Sequence, residues 1–122
     1  MSNQDIRNTI IIGSGPAGLT AALYAARAEL KPLLFAGFTW GGQLMLTSEV
    51  ENYPGFPEGI LGPQLMQNIK KQAERFGTEI IDENVVAADF KLKPFTVKIE
   101  KGEFKAKTVI IATGADANWL GL

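Results

Sequence analysis

Three glycines at the spacing Gly13, Gly15, Gly18 carry the clearest chemistry in this sequence. They follow the apolar run Thr9, Ile10, Ile11, Ile12 and lead into an alanine-rich stretch, so the local pattern is a strand, a tight turn and a helix start. In that context Gly13 permits the turn, Gly15 lets backbone approach a diphosphate, and Gly18 lets helix and strand pack closely. The exposed N–H groups at the helix N-terminus then face the anion. Pro16 falls near the first helical position, where its missing donor costs nothing, and Ala17, Ala21, Ala22, Ala25 and Ala26 favour the helix. The chemistry is that of holding a dinucleotide. A glycine-rich turn with a purely structural role is the bland alternative, and the strand and helix on either side argue against it.

What the chain lacks narrows the chemistry further. It has no cysteine and no histidine, so by itself it offers no disulfide, thiolate nucleophile, imidazole base or ordinary zinc site. Redox chemistry would have to come from a bound cofactor or from residues elsewhere. Lys and Arg number 12 against 13 Asp and Glu, so there is no basic excess to attract nucleic acid. No apolar run nears the roughly 18 residues that span a bilayer, and the polar start has no signal-peptide pattern, which points to a cytoplasmic protein without a membrane partner. A length of 122 residues fits one domain with a modest core.

The elements that would position the turn can be read in order. Residues 1–8 are polar and are expected to fray until Thr9 starts the first strand. A helix over about residues 16–28 is broken at Pro32, and Leu33, Leu34, Phe35 read as a second buried parallel strand, completing a β-α-β unit. The dinucleotide pattern expects an acidic residue after that strand, to take ribose hydroxyls, but Ala36 and Gly37 stand there. Either backbone groups or water replace the carboxylate, or the adenosine half is held more weakly.

Residues 36–60 lack periodicity and are rich in Gly, Pro and Asn, as in a long functional loop. Gly41, Gly42 and Gln43 set a bidentate amide beside a flexible turn, and the run Asn52, Tyr53, Pro54, Gly55, Phe56, Pro57 alternates rigid prolines with aromatics. These residues could wall a flat ring and hydrogen-bond its edge. Equally, Tyr53 and Phe56 could be ordinary core anchors and Gln43 a solvated amide.

A second helix opens at Gly62 and Pro63, puts Leu65, Ile69, Ala73 and Phe76 on one face, and closes at Gly77; Lys70, Lys71, Glu74 and Arg75 read as its solvated side. Residues 78–81 form a short strand. Strands over 85–89, 94–100 and 103–106, joined by turns at 91–93 and 101–102, suggest a small antiparallel meander. Residues 108–112 return to the buried parallel type and end in Thr113, Gly114, Ala115, and strand C-terminal ends in a doubly wound sheet point at the ligand. Beyond them, Trp119, Leu120 and Leu122 make an apolar end that needs cover.

Taken together, the motifs Ile12-Gly13-Ser14-Gly15-Pro16-Ala17-Gly18, Gly41-Gly42-Gln43-Leu44, Val50-Glu51-Asn52-Tyr53-Pro54-Gly55-Phe56-Pro57, Arg75-Phe76-Gly77-Thr78 and Val109-Ile110-Ile111-Ala112-Thr113-Gly114-Ala115 resemble the N-terminal part of the low-molecular-weight, bacterial and plant type of thioredoxin reductase. That family is NADPH- and FAD-dependent. The resemblance runs from about Thr9 to Leu122. It implies an α/β, Rossmann-like FAD/NAD(P)-binding fold with a parallel sheet, flanking helices and a small antiparallel meander, here an incomplete domain. It implies FAD, with Gly13, Ser14, Gly15, Pro16, Ala17 and Gly18 at the diphosphate turn, Gly42, Gln43, Asn52 and Val85 around the flavin and adenosine ends, and Thr113, Gly114 and Ala115 along the cofactor cleft. Some members carry Glu where Ala36 stands, others a neutral residue.

The family continues into an NADPH domain with a Cys-x-x-Cys and a closing FAD segment, none of which lies in these 122 residues. The expectation is therefore part of an FAD domain, from an enzyme that reduces thioredoxin, forms homodimers and needs more than this chain for catalysis. The alternatives are a related flavoprotein without the cysteine pair, either a ferredoxin–NADP reductase of similar build or the flavoprotein of a peroxide-reducing system, and a non-catalytic flavin-binding or folding module.

Overall fold

A computed structural model describes residues 5–114 of the chain. Ala115, Trp119, Leu120, Leu122 and the first four residues lie outside the described residues. In chain order the structure runs β1 (Ile6–Ile12), α1 (Pro16–Arg27), β2 (Leu33–Phe35), a 3₁₀ helix (Gly42–Leu46), β3 (Glu49–Val50), β4 (Ile60–Leu61), α2 (Gly62–Arg75), β5 (Glu79–Ile81), β6 (Ala87–Asp89), β7 (Phe95–Ile99) and β8 (Gly102–Ile111). Six strands share one sheet in the order β5-β2-β1-β8-β7-β6, and β3 pairs with β4 in a separate ribbon. Strands β5, β2, β1 and β8 are mutually parallel; β7 pairs antiparallel with β8, and β6 antiparallel with β7.

Alternation along the strands divides the core between the two faces of the sheet. Ile11 and Leu34 point to one face, where they pack with Leu19 and Ala22 of α1 and with Leu65, Met66, Ile69 and Ala73 of α2. Their neighbours Ile10, Leu33 and Phe35 point to the other, where the meander supplies Val97, Ile99, Phe104 and Ala106. The Phe35 and Phe104 rings meet edge to face with centroids 5.2 Å apart. Both rings are fully buried, each contributing about 2–3 kcal/mol by area removed from water. The helices thus cover much of one face and the meander much of the other.

The helix limits follow local chemistry. Pro16 begins α1, and its end is marked by the bond from the Ala28 N–H to the Tyr24 carbonyl at 3.0 Å. Glu29 and Lys31 then take left-handed backbone angles and reverse the chain ahead of Pro32. At the end of α2 the N–H groups of Gly77 and Thr78 donate to the Glu74 and Ala73 carbonyls, closing the last turn as expected.

Four expectations change. Residues 108–111 pair parallel to β1 as expected but are not buried: among the described residues little covers Ile110 and Ile111, which are 39% and 61% exposed. The first strand begins at Ile6, not Thr9, because Ile6 and Arg7 are held in register with Lys105 and Ala106, and Arg7 pairs with Glu79 at 2.8 Å. The segments 103–106 and 108–112 are one strand: β8 is antiparallel to β7 in its first half and parallel to β1 from Lys105 onward, so Lys107 interrupts nothing. Lys70 is not merely solvated, since its ammonium lies 4.5 Å from the centre of the Trp40 ring.

Candidate functional site

The chain leaves β1 in one direction to form β2 and later returns to lay β8 on the other side of β1. Adjacent strands whose connections depart to opposite sides leave a crevice at their C-terminal ends. Here that crevice is a cleft of about 570 Å³ lined by Gly15, Pro16, Ala17, Thr39, Gly42, Gln43, Leu44, Met45, Leu46, Ala112, Thr113 and Gly114.

The glycine turn has two kinds of glycine. Gly13 has φ of +120°, and a Cβ there would overlap the Ala112 carbonyl oxygen. A Cβ on Gly18 would overlap the Gly13 carbonyl oxygen. These two positions must be glycine because β8, the turn and α1 are stacked without room between them. The stack is tied by the Gly13 N–H donating to the Phe35 carbonyl at 3.0 Å and the Ala112 N–H donating to the Ile12 carbonyl at 2.8 Å.

Gly15 differs. Its backbone angles, φ −73° and ψ −172°, suit any residue, and a Cβ built on it meets nothing within 4 Å. Neither conformation nor protein packing requires glycine there. The space in front of it is the cleft.

Gly15 is also the N-cap of α1 and offers no side chain to the helix. The first intrahelical bond runs from the Leu19 N–H to the Gly15 carbonyl at 3.0 Å, so the amides of Ala17 and Gly18 precede the helical ladder. No acidic residue stands in the first turn, and among the described residues lining the cleft none is charged. The positive end of the helix dipole and its backbone donors are therefore the cleft's provision for an anion.

Ser14 is buried, and its hydroxyl donates to the Ala36 carbonyl at 2.8 Å and accepts from the Gly41 N–H at 2.9 Å. Gly42 and Gln43 begin the 3₁₀ helix that forms the opposite wall, and a Cβ on Gly42 would sit 3.2 Å from the Gly15 Cα. Thr113 and Gly114 complete the rim after β8.

Asn52 and Val85 lie outside this cleft. Asn52 belongs to the exposed loop 51–57, which borders a shallow depression of about 350 Å³ of its own. In that loop the Tyr53 and Phe56 rings stand 6.3 Å apart, and Phe56 reaches the helix-side core. Val85 packs against the meander-side core beside Ile12 and Ile81.

Thr39, Leu44, Met45, Leu46 and Ala112 line the cleft without having been singled out as site residues. Their signal is present in part: Leu44, Met45 and Leu46 form an apolar run within the Gly-rich loop, and Leu46 is 87% exposed. Among the described residues no group of acidic side chains is arranged to hold a metal ion, and no helix is long and apolar enough to cross a membrane.

Known proteins match nearly the whole chain. The family described as pyridine nucleotide-disulphide oxidoreductase matches residues 7–122. The chain is 57% identical over 114 residues to a thioredoxin reductase of Chlamydia pneumoniae, covering 91% of this chain and 37% of that protein. It is 58% identical over 120 residues to a thioredoxin reductase of Streptomyces coelicolor, covering 97% of this chain and 37% of the relative. Among solved structures, the thioredoxin reductase from Giardia duodenalis superposes with a TM-score of 0.89 at 43% identity, over 96% of this chain and 38% of the other. The chain thus spans little more than a third of the length of these relatives.

Proposed function

The chain belongs to the pyridine nucleotide-disulphide oxidoreductase family, and we propose that it is part of the FAD-binding domain of a thioredoxin reductase. The observation that carries this reading is Gly15: a glycine that its own protein does not require, at a helix N-terminus, facing an uncharged cleft at the switch point of a parallel sheet. A bulky group with close backbone contact accounts for it, and the diphosphate of FAD has the charge and the shape.

In this reading the α1 amides of Ala17 and Gly18 donate to phosphate oxygens, and Gly15 gives them room. The apolar wall Leu44, Met45 and Leu46 excludes water from the cleft, and Gln43 stands on the same wall with an amide able to hydrogen-bond a heterocycle edge. Thr113 and Gly114 border the opposite side. FAD supplies two-electron redox chemistry when bound, and the protein supplies binding, orientation and exclusion of water.

For the whole protein the reading is NADPH-dependent reduction of thioredoxin. This chain has no cysteine, so a dithiol would come from outside the 122 residues, and the chain alone is not expected to turn over.

Titration of the purified protein with FAD, followed by flavin fluorescence and visible absorbance, tests the reading. Saturable quenching at one FAD per chain is the expected result. A folded, colourless sample that leaves flavin fluorescence unchanged would overturn it, and NADPH-dependent disulfide reduction by this chain alone would contradict the account of its incompleteness.

A further inference from the structure

The two walls of the cleft are separate stretches of chain, residues 13–18 and residues 36–46, and they come closest where Gly42 faces Gly15. Among the described residues no strand pairing joins them at that point, and one side chain hydrogen-bonds from the turn to the loop. Ser14, the residue before Gly15, donates its hydroxyl to the Ala36 carbonyl at 2.8 Å and accepts the Gly41 N–H at 2.9 Å, and Gly41 is the residue before Gly42.

The hydroxyl is buried, with 5% of the residue exposed, so water is poorly placed to substitute for either bond. Gly41 has φ of +96°, a left-handed angle that starts the 3₁₀ helix and directs Gly42 and Gln43 along the cleft. On its outer side the same loop is held by Trp40 under the Lys70 ammonium. Trp40 and Lys70 anchor the loop to α2, whereas Ser14 is the link to the glycine turn.

We propose that Ser14 is a positioning residue: its hydroxyl clasps the loop of residues 36–41 to the glycine turn and thereby sets the separation of the cleft walls before the cofactor arrives. The proposal rests on the FAD reading above for what the cleft holds, but the clasp itself belongs to the protein alone. The resemblance places Ser14 at the diphosphate, and its backbone remains beside that site. Its side chain turns inward, to the loop.

The test is Ser14→Ala, read by amide hydrogen exchange without FAD and by FAD titration. Removal of the hydroxyl leaves the Gly41 N–H without its partner. Its exchange is expected to accelerate about tenfold more than that of Ile11 in the centre of the sheet. The FAD dissociation constant is expected to rise about tenfold. A role in general stability would move both amides together.

Unchanged Gly41 exchange in the variant would overturn the clasp. Faster Gly41 exchange with an unchanged FAD dissociation constant would overturn its role in shaping the cleft. Should Ser14→Ala fail to fold, the wild-type protein still decides: Gly41 must exchange nearly as slowly as Ile11, and a freely exchanging Gly41 sinks the proposal. Wild-type protein that does not bind FAD would remove the cofactor reading, while the exchange data would still uphold or overturn the clasp.

Discussion

The two ends of the parallel sheet each open onto a cleft of similar size and opposite chemistry. At the C-terminal ends of the strands lies the cleft of about 570 Å³, lined by glycines, short apolar side chains and the start of α1. At the N-terminal ends lies one of about 530 Å³, lined by Arg7, Ala26, Glu29, Lys31, Pro32, Phe76, Gly77 and Glu79. The lower cleft sits where α1 and α2 finish, so carbonyl groups and the negative ends of helix dipoles face it. Of its charges, Arg7 and Glu79 are bonded to each other, and the Phe76 ring that lines it has the Arg27 and Arg75 guanidiniums 5.3 and 5.1 Å from its centre. Empty volume therefore does not distinguish a site here. Backbone donors without helical partners, and a missing side chain that the protein does not need to omit, do.

That contrast can be broken by substitution at either end. Gly13→Ala should have the largest effect, because it adds left-handed strain to an overlap with the Ala112 carbonyl; a loss of roughly 3–5 kcal/mol in urea unfolding is expected. A loss under about 1 kcal/mol would mean that the stack of β8, turn and α1 does not shape the upper cleft.

Gly15→Val should leave unfolding within about 1 kcal/mol of wild type, since its backbone angles are ordinary and its Cβ would meet nothing within 4 Å. The same substitution should weaken FAD binding by about 100-fold or more, because the valine fills the space assigned to the diphosphate. Undiminished affinity would place the phosphates elsewhere.

At the lower end, Arg7→Ala should cost about 1 kcal/mol, the scale of a partly exposed ion pair, and change FAD affinity by less than about twofold. A large loss of affinity from that distance would erase the distinction between the two ends.

How much of this was legible in the sequence depends on the range of the forces involved. The turn could be read because its constraints are local: a β-branched run, three spaced glycines and an N-terminal proline lie within ten residues. The helix α2 was legible for the same reason, since its apolar face and its glycine stop lie within its own span. The loop of residues 36–46 was not, because its order comes from elsewhere: from Ser14 on the turn, and from Lys70, which from α2 alone reads as a solvated charge. The first residues of β1 are illegible for the same reason, as Ile6 and Arg7 are held by strands β8 and β5 far along the chain. Thr39 and Met45 carry no motif, and only the folding of their loop brings them to the cleft.

The brace behind Gly13 is the carbonyl of Ala112, ninety-nine positions downstream (112 − 13). Bringing such distant segments together incurs the entropy of closing a long loop before any contact repays it. During synthesis the fingerprint is made before strand β8, and it lacks its Ala112 brace until β8 has been made and docked. The glycine turn is made well before the strand that braces it, so the assembly of the cradle waits on the docking of β8 beside β1.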